Sequence, residues 1–144
     1  MVTTAGVCVA FVAVNPPAGT RPDAPTPLKV ALGVVALEAV AFVVYGVLEL
    51  LSLDSKRPEV SLTAGLFFLA YAAFLTFFAW RLARLESWAR APIVMGQLIH
   101  IPVALSFWGG DTKAVTVVLL TSSLVTLGGI FHPASIEAIE AAED

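Results

Sequence analysis

Four stretches of this chain, roughly Leu28 to Leu53, Leu62 to Ala83, Ala91 to Trp108 and Ala114 to Phe131, are apolar almost without interruption. Crossing about 30 Å of hydrocarbon as a helix takes about 20 such residues, so each stretch matches a membrane span. The segments between them, "DSKRPEVS", "RLESWAR" and "GGDTK", are short. Short connections force consecutive helices to lie side by side and antiparallel. The expected fold is therefore all-α, an integral membrane four-helix bundle running up, down, up and down over residues 28–132. A Pro-rich, flexible segment (1–27) precedes it and an acidic tail (133–144) follows.

Composition agrees with this class. Of 144 residues, 58% are hydrophobic and 13% charged, far from the make-up of a water-soluble globule. The net charge of −3 says little about partners, because Glu137, Glu140, Glu143 and Asp144 all fall in the last eight residues. No basic stripe suited to nucleic acid remains. Cys8 is the single cysteine, which leaves neither an internal disulfide nor a thiolate metal site. The apolar run Gly6 to Val14 follows no Lys or Arg and precedes no small-residue cleavage site, so it does not read as a cleaved signal, and "TAGVC" is a poor lipobox. Five of nine prolines lie between Pro16 and Pro27, as in an extended linker.

Orientation follows from basic residues near the span ends. Arg21, Lys29, Arg81, Arg84 and Arg90 fall on one side, and Lys56, Arg57 and Lys113 on the other. Positive charge concentrates on the cytoplasmic side, which predicts a multi-pass cell-membrane protein with both termini in the cytoplasm. Trp80 and Trp88 then sit at the inner boundary and Trp108 at the outer one, where indole rings favour the interface.

Within the spans, polar residues are few and informative. The run "VVALEAVAFVVYGVLELL" carries Glu38 and Glu49, eleven residues apart and on one helix face with Tyr45. Glu49 lies near the outer edge, within reach of Lys113, Lys56 or Arg57, where snorkelling or surface pairing accounts for it. Glu38 lies about 12 Å deep and His100 about 14 Å, counted at 1.5 Å per residue. A charged side chain at that depth costs at least about 2.5 kcal/mol, so Glu38 must be neutral, paired or wet.

In "GQLIHIPVA", Gln97 and His100 share a face and Pro102 frees the carbonyl of Leu98. Two readings stand there: a packing kink with two satisfied polar residues, or an ion or ligand site. On the second span Gly65, Ala72, Thr76, Ala79 and Ala83 form a small-residue stripe turned to neighbouring helices, while Phe67, Tyr71, Phe74 and Phe78 face lipid or another subunit. Thr116, Ser123 and Thr126 turn inward on the fourth. The expected site is a buried polar layer of Glu38, Thr76, Gln97, His100 and Thr126, with Glu49 and Lys113 as outer-edge candidates. Gly128 and Gly129 read as a close-packing pair.

No nucleophile stands beside a base, no metal-ligand pair has useful spacing and no Gly-rich phosphate loop occurs, so catalytic residues, a metal and a cofactor are not expected. The stretch "SWARAPIVMGQLIHIPVA" resembles a group of small four-span actinobacterial integral membrane proteins in which W-x-R-x-P introduces a Gln-containing third helix. Trp88, Arg90, Pro92, Gln97 and Pro102 carry the resemblance. It covers roughly Leu28 to Pro133 and implies the four-span fold but no activity. Small multidrug-resistance transporters are similar in size and in a first-helix glutamate, yet their third-helix tryptophan motif has no match here, so proton-coupled transport stands as an analogy.

The expected partners are the lipid bilayer and either a second copy of the chain or another membrane protein. The functional expectation is an accessory or scaffold protein that binds such a partner. The alternative is a small proton-coupled transporter, or a lipid- or small-molecule-binding protein, that uses Glu38.

Overall fold

Pro25 and Pro27 set the start of the first helix: Pro25 is extended (φ −65°, ψ 156°) and its carbonyl accepts from the Lys29 amide at 3.0 Å. Proline suits a helix's first turn, whose amides have no intrahelical partner. The computed structural model describes residues 23–52, 58–109 and 112–143. The Pro-rich stretch up to residue 22, including Arg21 and Cys8, and the connection holding Lys56 and Arg57 lie outside the described residues.

The described chain is helical throughout: α1 (Thr26–Leu51), α2 (Pro58–Ala83), α3 (Arg90–Ser106), α4 (Lys113–Ile130) and α5 (Pro133–Glu140), with a 3₁₀ turn at Ser87–Ala89 ahead of α3. Among the described residues there is no strand. Helices α1, α2 and α4 are long and apolar enough to cross a membrane. Helix α3 has 17 residues and carries Gln97, His100 and an internal Pro102. Many large apolar side chains point outward, Leu37 at 70% exposure and Val118 at 66% among them. So much outward apolar surface suits lipid and would be a liability in water.

Helix α1 is the central element, packed most heavily on α2 and then on α4, while α3 packs chiefly on α4. Gly46 and Gly65 bring the α1 and α2 backbones together: a Cβ on Gly46 would lie 3.0 Å from the Gly65 carbonyl oxygen. Phe42 stacks on Phe68, with ring centres 5.7 Å apart. Residue numbers rise along α1 as they fall along α2, so the two run antiparallel. Thr116 of α4 donates to the Ala104 carbonyl near the end of α3 at 3.0 Å, which ties that hairpin together. The small stripe of α2 is only partly inward: Gly65, Ala72 and Ala79 are buried, whereas Thr76 and Ala83 are exposed.

The last helix is more than a polar tail. His132 caps α5 through its side chain, which accepts from the Ala134 amide, and Ser135 donates to the Gly129 carbonyl at 2.7 Å. Ile139 and Ser135 are buried, and Ser87 donates to Glu143, so α5 folds back against the α2–α3 turn. That turn has an unusual stop signal. The Glu86 amide bonds the Arg81 carbonyl and the Leu85 amide that of Leu82, the two bonds of a Schellman cap, but a leucine occupies the left-handed position (φ 61°).

Left-handed backbone costs a leucine about 1–2 kcal/mol. Leu85 is nevertheless 4% exposed, within the apolar core, and removing a buried leucine side chain costs about 2–5 kcal/mol. Burial wins. Leu85→Gly, the substitution backbone geometry alone would favour, is expected to lower stability by about 1–3 kcal/mol in reversible unfolding from detergent micelles. A rise in stability would show that strain, not packing, dominates the turn.

Candidate functional site in the helix interior

Leu28, Ala31, Val35, Glu38 and Ala39 recur at helical spacing, so the inward face of α1 is apolar except at Glu38. The side chains that meet Glu38 come from α3. Gln97 Nε2 donates to Glu38 Oε2 at 2.7 Å, and His100 Nδ1 lies 3.9 Å from Glu38 Oε1. The first is a short hydrogen bond; the second exceeds hydrogen-bond range. Glu38, Gln97 and His100 are 8%, 0% and 6% exposed, so all three are withdrawn from the surroundings.

A third helix completes the cluster. Tyr71 of α2 is hydrogen-bonded through its hydroxyl to His100 Nε2 at 3.0 Å. Phe42 packs edge-on against Tyr71 and tilted against His100, closing the apolar wall around them. Gly96 leaves room for this contact, since a Cβ there would lie 3.0 Å from the Tyr71 hydroxyl. The polar atoms thus run Gln97, Glu38, His100, Tyr71 across α3, α1, α3 and α2.

The helical repeat turns Tyr71 outward with Phe67, Phe74 and Phe78, and the structure corrects that expectation. Phe67 and Phe74 are exposed, but Tyr71 is half-buried. The available signal was its hydroxyl: among neighbours that are all phenylalanine, the one ring with a polar tip needs a hydrogen-bond partner. Thr76 corrects the expected layer in the opposite sense. It is exposed, its hydroxyl donates to the Ala72 carbonyl of its own helix at 2.8 Å, and it lines an external groove between α1 and α2. Satisfying a threonine within its own turn removes any need to turn it inward.

Thr126 and Ser123 are fully buried on α4. Neither hydroxyl oxygen has a hydrogen-bond partner among the described residues, and the same holds for Glu38 Oε1, Gln97 Oε1 and His100 Nδ1. The outer-edge candidates are not brought together: Glu49 is half-buried, Lys113 is exposed, and neither pairs with a charged group among the described residues. An ion pair joins Arg81 to Glu86 at 3.0 Å, with the guanidinium against Phe77, Trp80 and Trp88 and the Trp88 indole donating to Glu86. It braces the α2–α3 turn.

Chemically, the interior offers one carboxyl group, one imidazole, one phenol and several neutral oxygens in an apolar shell. Among the described residues no three His, Cys, Asp or Glu side chains converge to hold a metal ion. The α1–α2 groove, lined by Leu32, Ala36, Val40, Val43, Thr76 and Trp80 among others, has a volume of about 470 Å³ and is almost wholly apolar. No protein-family model, curated protein or solved structure matches this chain. What it does must therefore be read from its own residues.

Proposed function

We propose that the chain is a four-span integral membrane protein, α1 to α4 passing up, down, up and down, which handles protons and a small polar solute at the Glu38 cluster. At 1.5 Å per residue α3 reaches about 25 Å, close to the hydrocarbon thickness once the interfacial Trp88 and Trp108 are added at its ends. Lys29, Arg81, Arg84 and Arg90 favour a cytoplasmic location for the start of α1 and the α2–α3 turn. The contacts of Gly129 with Pro27 and of Ser87 with Glu143 support a common side for both termini.

The observation that carries the functional reading is the incompletely hydrogen-bonded interior. An unsatisfied buried polar atom costs about 1–3 kcal/mol, and a cluster that only joined helices would be better saturated or replaced by apolar side chains. Buried polar atoms kept open to further bonding suit a site that exchanges protons or a ligand. Ionisable residues within spans mark such pathways in general.

The test is infrared difference spectroscopy of the lipid-reconstituted protein between about pH 4 and pH 9, a range that brackets ordinary carboxyl and imidazole titration. A carboxylic acid band should appear and disappear with pH and be missing from Glu38→Gln. A Glu38 carboxyl group locked in one form across the range would end the proposal. A second reading, an accessory protein whose partner helix seats in the α1–α2 groove, draws on that groove's apolar lining. Under it, Glu38→Gln would leave function intact while Ala36→Phe would abolish it.

A further inference from the structure

We infer that the cluster binds one monovalent cation, sodium above all, through Glu38 Oε1, Gln97 Oε1 and Ser123 Oγ, in competition with a proton. This rests on the proton-handling role proposed above and names the ligand of that same site. Three observations support it: the orphaned atoms, their chemical type and the helix register.

Glu38 Oε1 and Gln97 Oε1 are buried oxygens without a hydrogen-bond partner among the described residues, and Ser123 Oγ is a third. A carboxylate oxygen and an amide carbonyl oxygen can only accept, so what they require is a donor or a positive ion. Hard oxygen ligands suit alkali and alkaline-earth ions over transition metals. A single carboxylate among neutral oxygens balances one positive charge, and divalent ions of the calcium type are usually held by several carboxylates. A monovalent ion fits that charge.

Register brings Ser123 to the other two. Gly129 abuts Ala31, where a Cβ on the glycine would lie 2.8 Å from the alanine Cβ, and Thr116 bonds Ala104. With α4 antiparallel to α1 and α3, as proposed, two turns along α1 from Ala31 reach Glu38. Two turns along α3 from Ala104 reach Gln97. Along α4, Ser123 lies seven residues from Thr116 and six from Gly129, within a residue of two turns from each. Three helices thereby present an oxygen at one level.

Proton competition follows from the neighbours. His100 faces Glu38 from α3 and Tyr71 stands behind it on α2, while α4 carries buried Ser123 and Thr126 at this level and its one titratable residue, Lys113, is exposed at the far end of the helix. With the cation bound, Glu38 is ionised and His100 neutral. A proton taken up by the Glu38 carboxylate releases the cation, so one charge enters as one leaves.

The experiment is equilibrium binding of radioactive sodium to the full chain in lipid nanodiscs, with choline chloride holding ionic strength constant. Wild type should bind at a single saturable site, with affinity falling up to about tenfold per unit of acidification where Glu38 must deprotonate. Glu38→Gln should abolish binding. Ser123→Ala, a small change that keeps the fold, should weaken binding at least about tenfold, the effect of losing one ligand-stabilising contact. Thr76→Ala, outside the cluster, should leave it unchanged. Absence of saturable binding in wild type, or binding indifferent to Ser123→Ala, overturns the inference. If sodium fails to bind while the Glu38 infrared band still titrates, the proton-handling role stands and the cation falls; if the band is also static, both fall.

Discussion

Gln97→Leu is expected to destabilise the protein by about 1–3 kcal/mol, the cost of leaving a buried acceptor without its hydrogen-bond donor. Gln97 supplies the one hydrogen bond that Glu38 receives, at 2.7 Å, and both side chains are buried. Leucine fills the amide's volume, so the loss is not one of packing. It leaves Glu38 Oε2 buried without a donor, joined to Oε1, which has no hydrogen bond among the described residues. Exchanging both residues, Glu38→Leu with Gln97→Leu, should recover most of that loss, because replacing both members of a buried polar pair with apolar side chains is often neutral. A double-mutant cycle in reversible unfolding from mixed micelles measures the coupling. Independent, additive effects of the two substitutions would mean that they do not share an environment. The same cycle separates stability from function: the double variant should fold well and handle no protons.

Two adjacent glycines should respond with opposite signs. Gly129→Ala is expected to cost about 1–3 kcal/mol, in the range of an overpacked core, since its Cβ would lie 2.5 Å from the Pro27 carbonyl oxygen and 2.8 Å from the Ala31 Cβ. Backbone cannot swing aside as a side chain does, so α4 must move off α1. Gly128→Ala meets nothing within 4 Å and should raise stability by up to about 1 kcal/mol, the ordinary helix preference for alanine. Thermal unfolding in one detergent compares the two directly. Equal responses would mean that α4 does not sit on α1 through Gly129. The expected close-packing pair is thus a single close-packing residue beside one that faces out.

Apolar runs, turn residues and the helical repeat were enough to place the helices within a few residues, because length and periodicity are local properties of the chain. The third helix illustrates the margin: expected over Ala91 to Trp108, it runs from Arg90 to Ser106 after a 3₁₀ turn. The shared face of Gln97 and His100, and their level beside Glu38, were legible in the same way. Residue counts alone carried them to one level, and the short hydrogen bond between Gln97 and Glu38 is the outcome.

Which side of a helix meets which neighbour was not legible, since it depends on the rotation of each helix about its axis, and hydrophobicity says little about rotation when lipid and protein interior are equally apolar. Thr76 and Tyr71 exchanged their expected places for that reason: the threonine satisfied itself within its own turn, and the tyrosine reached His100. The left-handed leucine at residue 85 and the docking of α5 through Ile139 are likewise products of long-range burial. The sequence by itself determined a helical, membrane-compatible chain with a carboxyl group in the middle of an apolar run. Only the tertiary structure decided its company, because small residues such as Gly65 and Gly129 mark where helices can approach closely but not which neighbour closes there, which depends on the rotation of each helix about its axis.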